Sequence, residues 1–494
     1  MPPEKGDPAS WRRLNPGWDY RFWDDDDLLA FMRAEFPHLV EMFLGCPRPV
    51  QRADLARYCL LARFGGLYAD IDTRCLAPLE PLAGDPRVIL SEEPPEHHWH
   101  AHRRGLPALW FNGTMASPPG HPFWDRMIGL CQLMYPGRDG DVLENTGPLL
   151  LSAAVAQWPR PEDLSLNSHH LFSGSGTGPG TAGAPRHGPH GNLTLSEHFW
   201  QGSWFRQRRP RWHKHGIARL RQFRQALRPR LRPQQVRATL DLPLLTRPLP
   251  SPSPTPPEIA ILIPVRNSAP FLRRNLEQIR ALDFPSDRLH ILYGEDGSTD
   301  DTAAVIAALA REHGAEFASF ATMRCRAGIT RARNDLLAAA LPIACDWFFW
   351  LDAEVIGLPP TLLQDLLAAQ AKIVTPDCVL EGQDASHDLH TFVTVAPFDR
   401  IEYFRHIRDG LFQPPAHHHA RRHLDDLRYL PRVPLDGVGG TALLVHADIH
   451  RAGLTFPETP YRDRLGAEAF AAIARDFGVT PIGLPNLRVI HATT

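Results

Sequence analysis

The sequence predicts an α/β protein in two parts, and three observations predict it. Apolar runs and amphipathic stretches alternate after residue 258, a basic and proline-rich stretch divides the chain near its middle, and one acidic spacing closes a strand on either side of that stretch. With 494 residues the chain has room for two or three ordinary domains.

In the second part "IAILIPV" (259–265) is an apolar run of the length of a buried strand, and "APFLRRNLEQIRAL" (269–282) follows at helical spacing. "LHILYGED" (289–296) is the next strand. "STDDTAAVIAALAREHG" (298–314) is expected to be a helix, with Ser298, Thr299 and Asp300 as N-cap candidates and an acidic first turn suited to the dipole. "DWFFWLDAE" (346–354) completes the alternation as a strand. Strand and helix in turn imply a mainly parallel sheet covered on both faces, with ligands at the carboxyl ends of its strands.

In the first part "GGLYADIDT" (65–73) reads as a β run that places Tyr68, Asp70 and Asp72 on one face and Leu67, Ala69 and Ile71 on the other. Two carboxylates on one face repel unless something positive stands between them. From Arg206 to Arg237 the chain carries about a dozen Arg or Lys and no acid, and "RPLPSPSPTPP" (247–257) can form neither a helix interior nor a central strand. The expected division is therefore a domain at 1–205, a linker at 206–257 and a domain at 258–494. "SGSGTGPGTAGAPRHGPHG" (173–191) reads as a surface insertion, since no strand precedes its glycines and no helix follows them.

The net charge of −2 argues against nucleic acid as the partner. Met1–Pro8 lacks the apolar segment of a signal peptide, and no uncharged run reaches bilayer length, so a cytoplasmic location is expected. Seven scattered cysteines without a CxxC pair read as reduced, mostly buried thiols. "HHWHAH" (97–102) and "HHHA" (417–420) lack a helical spacing with cysteine partners and read as exposed loop histidines. Ile217, Leu220, Phe223 and Leu227 form an apolar stripe among Arg219, Arg221, Arg224 and Arg228. Either this helix lies on an anionic inner membrane face, as peripheral contact through 206–237, or its stripe docks between domains. Membrane contact predicts that deleting 217–230 weakens binding to anionic liposomes; unchanged binding excludes it.

Asp70 with Asp72, and Asp352 with Glu354, repeat one i, i+2 device. Such a pair has three readings: a solvated turn, a divalent-cation site, or a general acid and base. A sugar hydrolase needs its carboxyls several ångströms apart across a ring, whereas i, i+2 neighbours converge, and convergence favours a metal. A metal there would neutralise a departing diphosphate, as transfer from a nucleotide-sugar requires.

"RADLARYCLLARFGGLYADIDTRCL" resembles the D-x-D sugar-binding region of family 32 glycosyltransferases, the group of fungal initiating α-1,6-mannosyltransferases, related to the glucosylating domains of large clostridial toxins. "WRRLNPGWDYRFWDDDD", "NGTMASPPGHPFW", "LENTGP" and "HFWQGSW" extend the likeness over residues 11–204. The resemblance implies that Asp54 and Arg57 hold donor sugar and diphosphate, that Tyr68 and Asp70 contact sugar and ribose, and that Asp72 and His198 bind the metal. It places Ser203 and Trp204 over the diphosphate. Family members open with an apolar strand ending in I-H-Q-x-W, and that first strand is expected to be missing here.

The second part is similar to family 62 glycosyltransferases, the fungal mannan-polymerase type of α-mannosyltransferase, through "ILIPVRNSAPFL", "GEDGSTDDT", "RARNDLL", "WFFWLDAEV", "PPTLLQDLL", "VPLDGVGGTALLVHADIHRAGLTFP" and "GLPNLRVIH". The resemblance implies a metal site of Asp352, Glu354 and His491, and an acceptor side of Asp436, Gly437, Gly439, Gly440 and Glu468. Pro264 and Arg266 would open the nucleotide pocket, Asp296 would meet base or ribose, and Arg331, Arg333 and Asn334 would meet the diphosphate. The inverting family 2 shares the earlier blocks, but the late "LDGVGGT" and "GLPNLRVIH" blocks and the lack of a clear Q/R-x-x-R-W favour family 62. Together the resemblances imply two domains of the GT-A type joined by the linker. They imply retaining hexosyl transfer with Mn²⁺ or Mg²⁺, a GDP-mannose or UDP-hexose donor, and a glycan or lipid-linked acceptor. The rival class is a sugar-nucleotide-binding protein with turnover only in the second domain.

Overall fold

The computed structural model describes residues 6–135, 142–174, 185–200, 230–326, 328–398, 400–408 and 411–493. The chain divides into two compact units, Met1–Pro210 and Arg211–Thr494.

In the first unit helix α1 (Asp25–Glu35) is capped by Asp24, whose carboxylate accepts the Asp27 N–H, and three aspartates occupy its first turn. Helix α2 (Pro49–Phe64) has proline in its first turn and stops at Gly65, where φ is 63° and a Cβ would strike the Pro119 nitrogen. The strands are β1 (Gly66–Ala69), β2 (Thr73–Cys75), β3 (Val88–Ser91), β4 (Thr114–Ser117), β5 (Leu164–Asn167) and β6 (Ser196–His198). Four of them form a sheet in the order β1-β4-β3-β5, and β2 pairs antiparallel with β6, setting Thr73 opposite His198. Trp11, Ile89, Phe111, Ala116, Leu171 and Phe172 pack into one core.

The run expected to continue through Asp72 breaks at Ala69. Asp70 opens a turn closed by Thr73, whose N–H and Oγ1 both donate to the Asp70 carbonyl at 3.2 and 2.5 Å. The two carboxylates are thus brought together by a turn between β1 and β2 rather than by strand alternation.

The second unit is built on a nine-stranded sheet. Its strands are β7 (Ile259–Val265), β8 (Leu289–Glu295), β9 (Ser319–Arg324), β10 (Trp347–Leu351), β11 (Val355–Gly357), β12 (Ile373–Leu380), β13 (Val433–Pro434), β14 (Ala442–His446) and β15 (Ile482–His491). The order is β11-β15-β12-β14-β10-β7-β8-β9, with β13 beside β15. The expected parallel alternation holds across β10, β7, β8 and β9, while β14 lies antiparallel to both β10 and β12. Helices α3 (Ala269–Arg280), α4 (Thr302–His313) and α5 (Ile329–Ala340) occupy the crossovers, and α6 (Gly466–Asp476) precedes β15. Ile261, Ile263, Leu272, Leu276, Phe349, Leu351 and Leu444 are among the buried residues of the core.

Two local expectations change. Helix α4 begins at Thr302, not at Ser298, because Ser298 and Thr299 are spent on the preceding loop: Ser298 N–H donates to the Glu295 carboxylate, and Thr299 N–H donates to Asn267 Oδ1 at 2.8 Å, while the Asp300 carboxylate accepts the Thr302 N–H at 3.1 Å at the helix start. Residues 230–249, basic and proline-containing, dock onto the second unit. Leu231 N–H donates to Pro460 O at 2.9 Å, Asp241 N–H to Ala452 O at 2.9 Å, and Lys372 Nζ to Leu245 O at 2.7 Å, with Val236 and Leu245 buried. The amphipathic stripe at 217–227 lies outside the described residues. All seven cysteines are free, and no described helix is long and apolar enough to cross a membrane.

Candidate functional site

The first unit's site grows from α2. Asp54 and Arg57 sit three apart on its buried face, and the Arg57 guanidinium lies 3.4 Å from Asp54 and 3.1 Å from Asp70. Arg57 thus supplies a positive charge to Asp54 and to Asp70, one member of the i, i+2 pair. Asp54 is fixed by Asn112 Nδ2 and Thr146 Oγ1, each donating at 2.9 Å, and burial pushes its carboxyl up while Arg57 opposes that push. Arg57 also donates to the Asn112 carbonyl at 2.7 Å. The Tyr68 hydroxyl donates to Asp70 at 2.8 Å, and burial holds this phenol well above its ordinary range, so it remains a donor. Asp70 N–H donates to the Gly113 carbonyl at 2.8 Å; a Cβ on Gly113 would lie 2.5 Å from the Phe111 ring and 3.0 Å from Asp70 Oδ2, so the close approach needs glycine.

Opposite Asp70, His198 Nε2 lies 3.0 Å from Asp72. Ligand atoms of Asp70, Asp72 and His198 all fall within 4.8 Å of one another. Two carboxylate oxygens and one imidazole nitrogen fit Mn²⁺, and the carboxylates alone fit Mg²⁺. His198 Nδ1 accepts the Trp200 backbone N–H at 3.2 Å, which leaves the neutral ring's proton on Nε2; a metal held at Nε2 would require that proton on Nδ1 instead. Ser203 and Trp204 lie outside the described residues.

In the second unit Asp352 directly follows β10, and Arg333 of α5 lies 3.1 Å from its carboxylate. Burial raises the Asp352 carboxyl, Arg333 opposes the rise, and Glu354 adds to it. Glu354 accepts from Ser268 Oγ at 2.7 Å, and its carbonyl accepts from Ala492 N–H, tying it to the end of β15 beside His491. His491 Nδ1 sits 2.8 Å from the Ala492 carbonyl, and its ring lies 4.8 Å from that of His387. Asp352, Glu354 and His491 do not form a ligand group as tight as Asp70–Asp72–His198 among the described residues.

The glycines of "LDGVGGT" serve close approach. A Cβ on Gly440 would overlap the Arg333 guanidinium, and one on Gly439 would overlap the Asp388 carboxylate. Gly440→Ala is therefore expected to push Arg333 off Asp352 and lower turnover at this site, while the melting temperature moves by only a few degrees because the displaced group is the end of a flexible side chain. Turnover paired with a melting curve checks this.

The remaining positions separate by what they hold. Asp296 accepts the Gly328 N–H at 3.1 Å and stands 4.0 Å from Arg266, and Pro264 is buried in β7 opposite Gly294. Arg331 is exposed and pairs with Glu458 at 3.0 Å, whereas the Asn334 amide is engaged at both ends by the Phe456 backbone. Of the three α5 residues, Arg333 is thus the one at the carboxylate. Asp436 accepts the Thr394 N–H at 2.7 Å and faces Arg475. Glu468 lies 2.7 Å from His390 and 3.8 Å from Arg421. Its hydrogen bond raises His390 above the ordinary value near 6.5, so this contribution is complete below 6.5 and is lost as pH rises through the elevated folded value. Glu468→Gln is expected to bring the His390 pKa down, read by an NMR titration of its ring.

Sequence reasoning assigned no role to Asn112, Thr146, Asp388 or Ser268. Asn112 and Thr146 lie in "NGTMASPPGHPFW" and "LENTGP", two blocks that match the family without naming a residue. The histidine clusters also need correction. His418 is buried, stacks 4.8 Å from Phe398 and pairs with Glu402 at 3.0 Å, while its Nδ1 accepts the Ala420 N–H. Glu402, His418 and His419 bring ligand atoms within 4.8 Å, and burial pushes His418 down to about 4. His97, His98 and His100 are half-buried, and His97 pairs with Glu93 at 2.7 Å.

Residues 4–89 match the family described as the glycosyltransferase sugar-binding region containing a DXD motif, and residues 312–406 and 415–460 match the Anp1 family. The two matches fall in different parts of the chain. Similar curated proteins include the mannan polymerase complex subunit MNN9 of Candida albicans, 31% identical over 34% of this chain and 49% of its own length. The inositol phosphoceramide mannosyltransferase 3 of Schizosaccharomyces pombe is 29% identical over 34% of this chain and 45% of its own length. The chain spans about half the length of the curated relatives it matches. Among solved structures, the mannosyltransferase PcManGT from Pyrobaculum calidifontis in complex with GDP-Man and Mn2+ aligns at 16% identity over 57% of this chain and 66% of that chain, with a TM-score of 0.31.

Proposed function

We propose that the chain is a metal-dependent, retaining glycosyltransferase with two sites, transferring hexose from nucleotide-sugars to a glycan or lipid-linked glycan. Mannose from GDP-mannose is the donor proposed for the second site. The observation that carries this reading is the convergence of Asp70, Asp72 and His198 beside a buried arginine at the end of a sheet. Mannosyl transfer is favoured by the names of the relatives, which are mannan polymerase subunits and mannosyltransferases.

In the first site Asp70, Asp72 and His198 would hold Mn²⁺ or Mg²⁺, and in the second Asp352, Glu354 and His491 would do so; the bound ion supplies charge neutralisation for the departing diphosphate. Arg57 and Arg333 each bring a fixed guanidinium to the same place, positioned in advance by Asp54 and by the carboxylates themselves. Tyr68 orients Asp70 by donating to it. Retention places the acceptor hydroxyl on the face from which the diphosphate leaves, with its proton passing to that leaving group. The acceptor is proposed to lie along Asp436–Gly440 and Glu468 in the second site.

The test is release of nucleoside diphosphate from GDP-mannose and UDP-hexoses with and without EDTA. Release that falls to background on chelation and returns with Mn²⁺ or Mg²⁺ supports the reading. Release that ignores chelation contradicts it, and a donor that binds without release leaves a sugar-nucleotide-binding protein.

A further inference from the structure

Asp70 and Asp72 divide the first site into two flanks of opposite character. Asp70 faces Arg57 and Tyr68, a cation and a phenol. Asp72 faces His198, and behind His198 the flank is aromatic. The ring of His198 lies 5.0 Å from Phe111 and 4.4 Å from Trp200, Phe111 lies 5.4 Å from Trp200, and His97 meets Trp200 edge to face at 5.0 Å.

Trp200 stands out in two respects. With three rings around it, the residue keeps 39% of its surface exposed, beside a cluster of carboxylates where an apolar surface gains nothing from water. Its backbone also sits at φ 50°, a region that bulky residues seldom adopt and that persists where the surroundings determine it. Its ring contacts with His198, Phe111 and His97 place the indole beside the residue that faces Asp72. At its edge stands the Glu93–His97 pair, a buried carboxylate and a half-buried imidazole 2.7 Å apart.

A pyranose ring has an apolar C–H face and a rim of hydroxyls. A partly exposed indole bordered by a carboxylate and an imidazole offers both kinds of contact. The Arg57 guanidinium beside Asp70 draws the anionic nucleotide half of a donor to that flank, which leaves the aromatic flank to a neutral group. We propose that Trp200 is the platform on which a sugar ring of the acceptor stacks in the first site, with Glu93 and His97 taking hydroxyls at its rim. This assignment rests on the transferase reading of that site. It deepens that reading by giving the neutral sugar a place distinct from the diphosphate.

A residue that merely props up Phe111 and His198 would tolerate any apolar side chain of similar bulk, and this separates the two roles. In the whole chain carrying Asp352→Ala, with Mn²⁺, as donor whichever of GDP-mannose and the UDP-hexoses this variant turns over, and α-1,6-mannobiose as acceptor probe, Trp200→Ala and Trp200→Leu are expected to raise the acceptor KM about tenfold or more. Trp200→Phe, which keeps a ring, is expected to stay within about threefold. If Leu and Phe behave alike, or if the loss falls on the donor KM, the assignment is overturned. A second readout needs no turnover. In protein labelled with 5-fluorotryptophan, the resonance missing from Trp200→Phe is expected to shift on adding mannobiose, with and without Mn²⁺. A resonance that stays in place overturns the platform. A shift without any nucleotide release keeps the platform and removes the transferase reading of this site.

Discussion

Asp72→Ala is expected to lower nucleoside-diphosphate release at the first site by about a thousandfold or more, measured in an Asp352→Ala background that silences the second. The size follows from what the side chain supplies. Asp72 lies 3.0 Å from His198 and converges with Asp70, so its loss would remove a ligand of the proposed ion and the carboxylate that faces His198. Its side chain is only partly buried, so the fold should bear the change and the melting temperature should stay within a few degrees. Asp72→Asn keeps the shape and is expected to fail nearly as badly, because a neutral amide oxygen binds a divalent cation weakly. An Asp72→Asn enzyme with wild-type release would remove the metal from the account.

Arg57→Leu carries the largest expected cost to the fold. Arg57 is 3% exposed and answers two carboxylates, and breaking a buried ion pair from one side costs roughly 3–5 kcal/mol because the partner charge is left without compensation. Asp54 is the group left stranded, 2% exposed and already pushed up by burial. Removing its charge as well, in Arg57→Leu with Asp54→Asn, should restore part of the loss, since Thr146 and Asn112 remain to satisfy the amide. Hydrogen exchange of the α2 amides reads this locally. Equal protection in wild type and Arg57→Leu would mean that the pair contributes nothing to the unit.

Much of the second unit was legible because its strands advertise themselves. The run at 259–265 forms a strand with those very bounds, since seven consecutive apolar residues suit burial on both faces of a sheet. The antiparallel β14 was not legible, because an apolar run states that a strand is buried and not which way it points. The start of α4 at Thr302 has a related reason: Ser298 and Thr299 have the side chains of caps but use them on Asn267, whereas the Asp300 carboxylate accepts the N–H of Thr302, the first helix residue. At the first site the spacing of Asp70 and Asp72 announced convergence, yet the convergence comes from a turn at Ile71 that no periodicity records. Asn112, Thr146 and Trp200 reach the site from distant positions in the chain, and only the fold brings them there. Arg331, Arg333 and Asn334 look alike as a motif but differ in the structure, because successive helix residues face different ways and α5 turns Arg333 alone toward Asp352.

Two independent metal-assisted transfer sites are proposed to share this chain. The measurement that tests this most directly is nucleoside-diphosphate release across a panel of nucleotide-sugars with Mn²⁺, comparing wild type, Asp72→Ala, Asp352→Ala and the double variant. The account predicts that each single variant removes one component of release, distinguishable by donor or by acceptor, and that the double variant removes all of it. If Asp352→Ala alone abolishes every trace of release and Asp72→Ala changes none, the first site is not a catalyst and the claim of two working sites is contradicted.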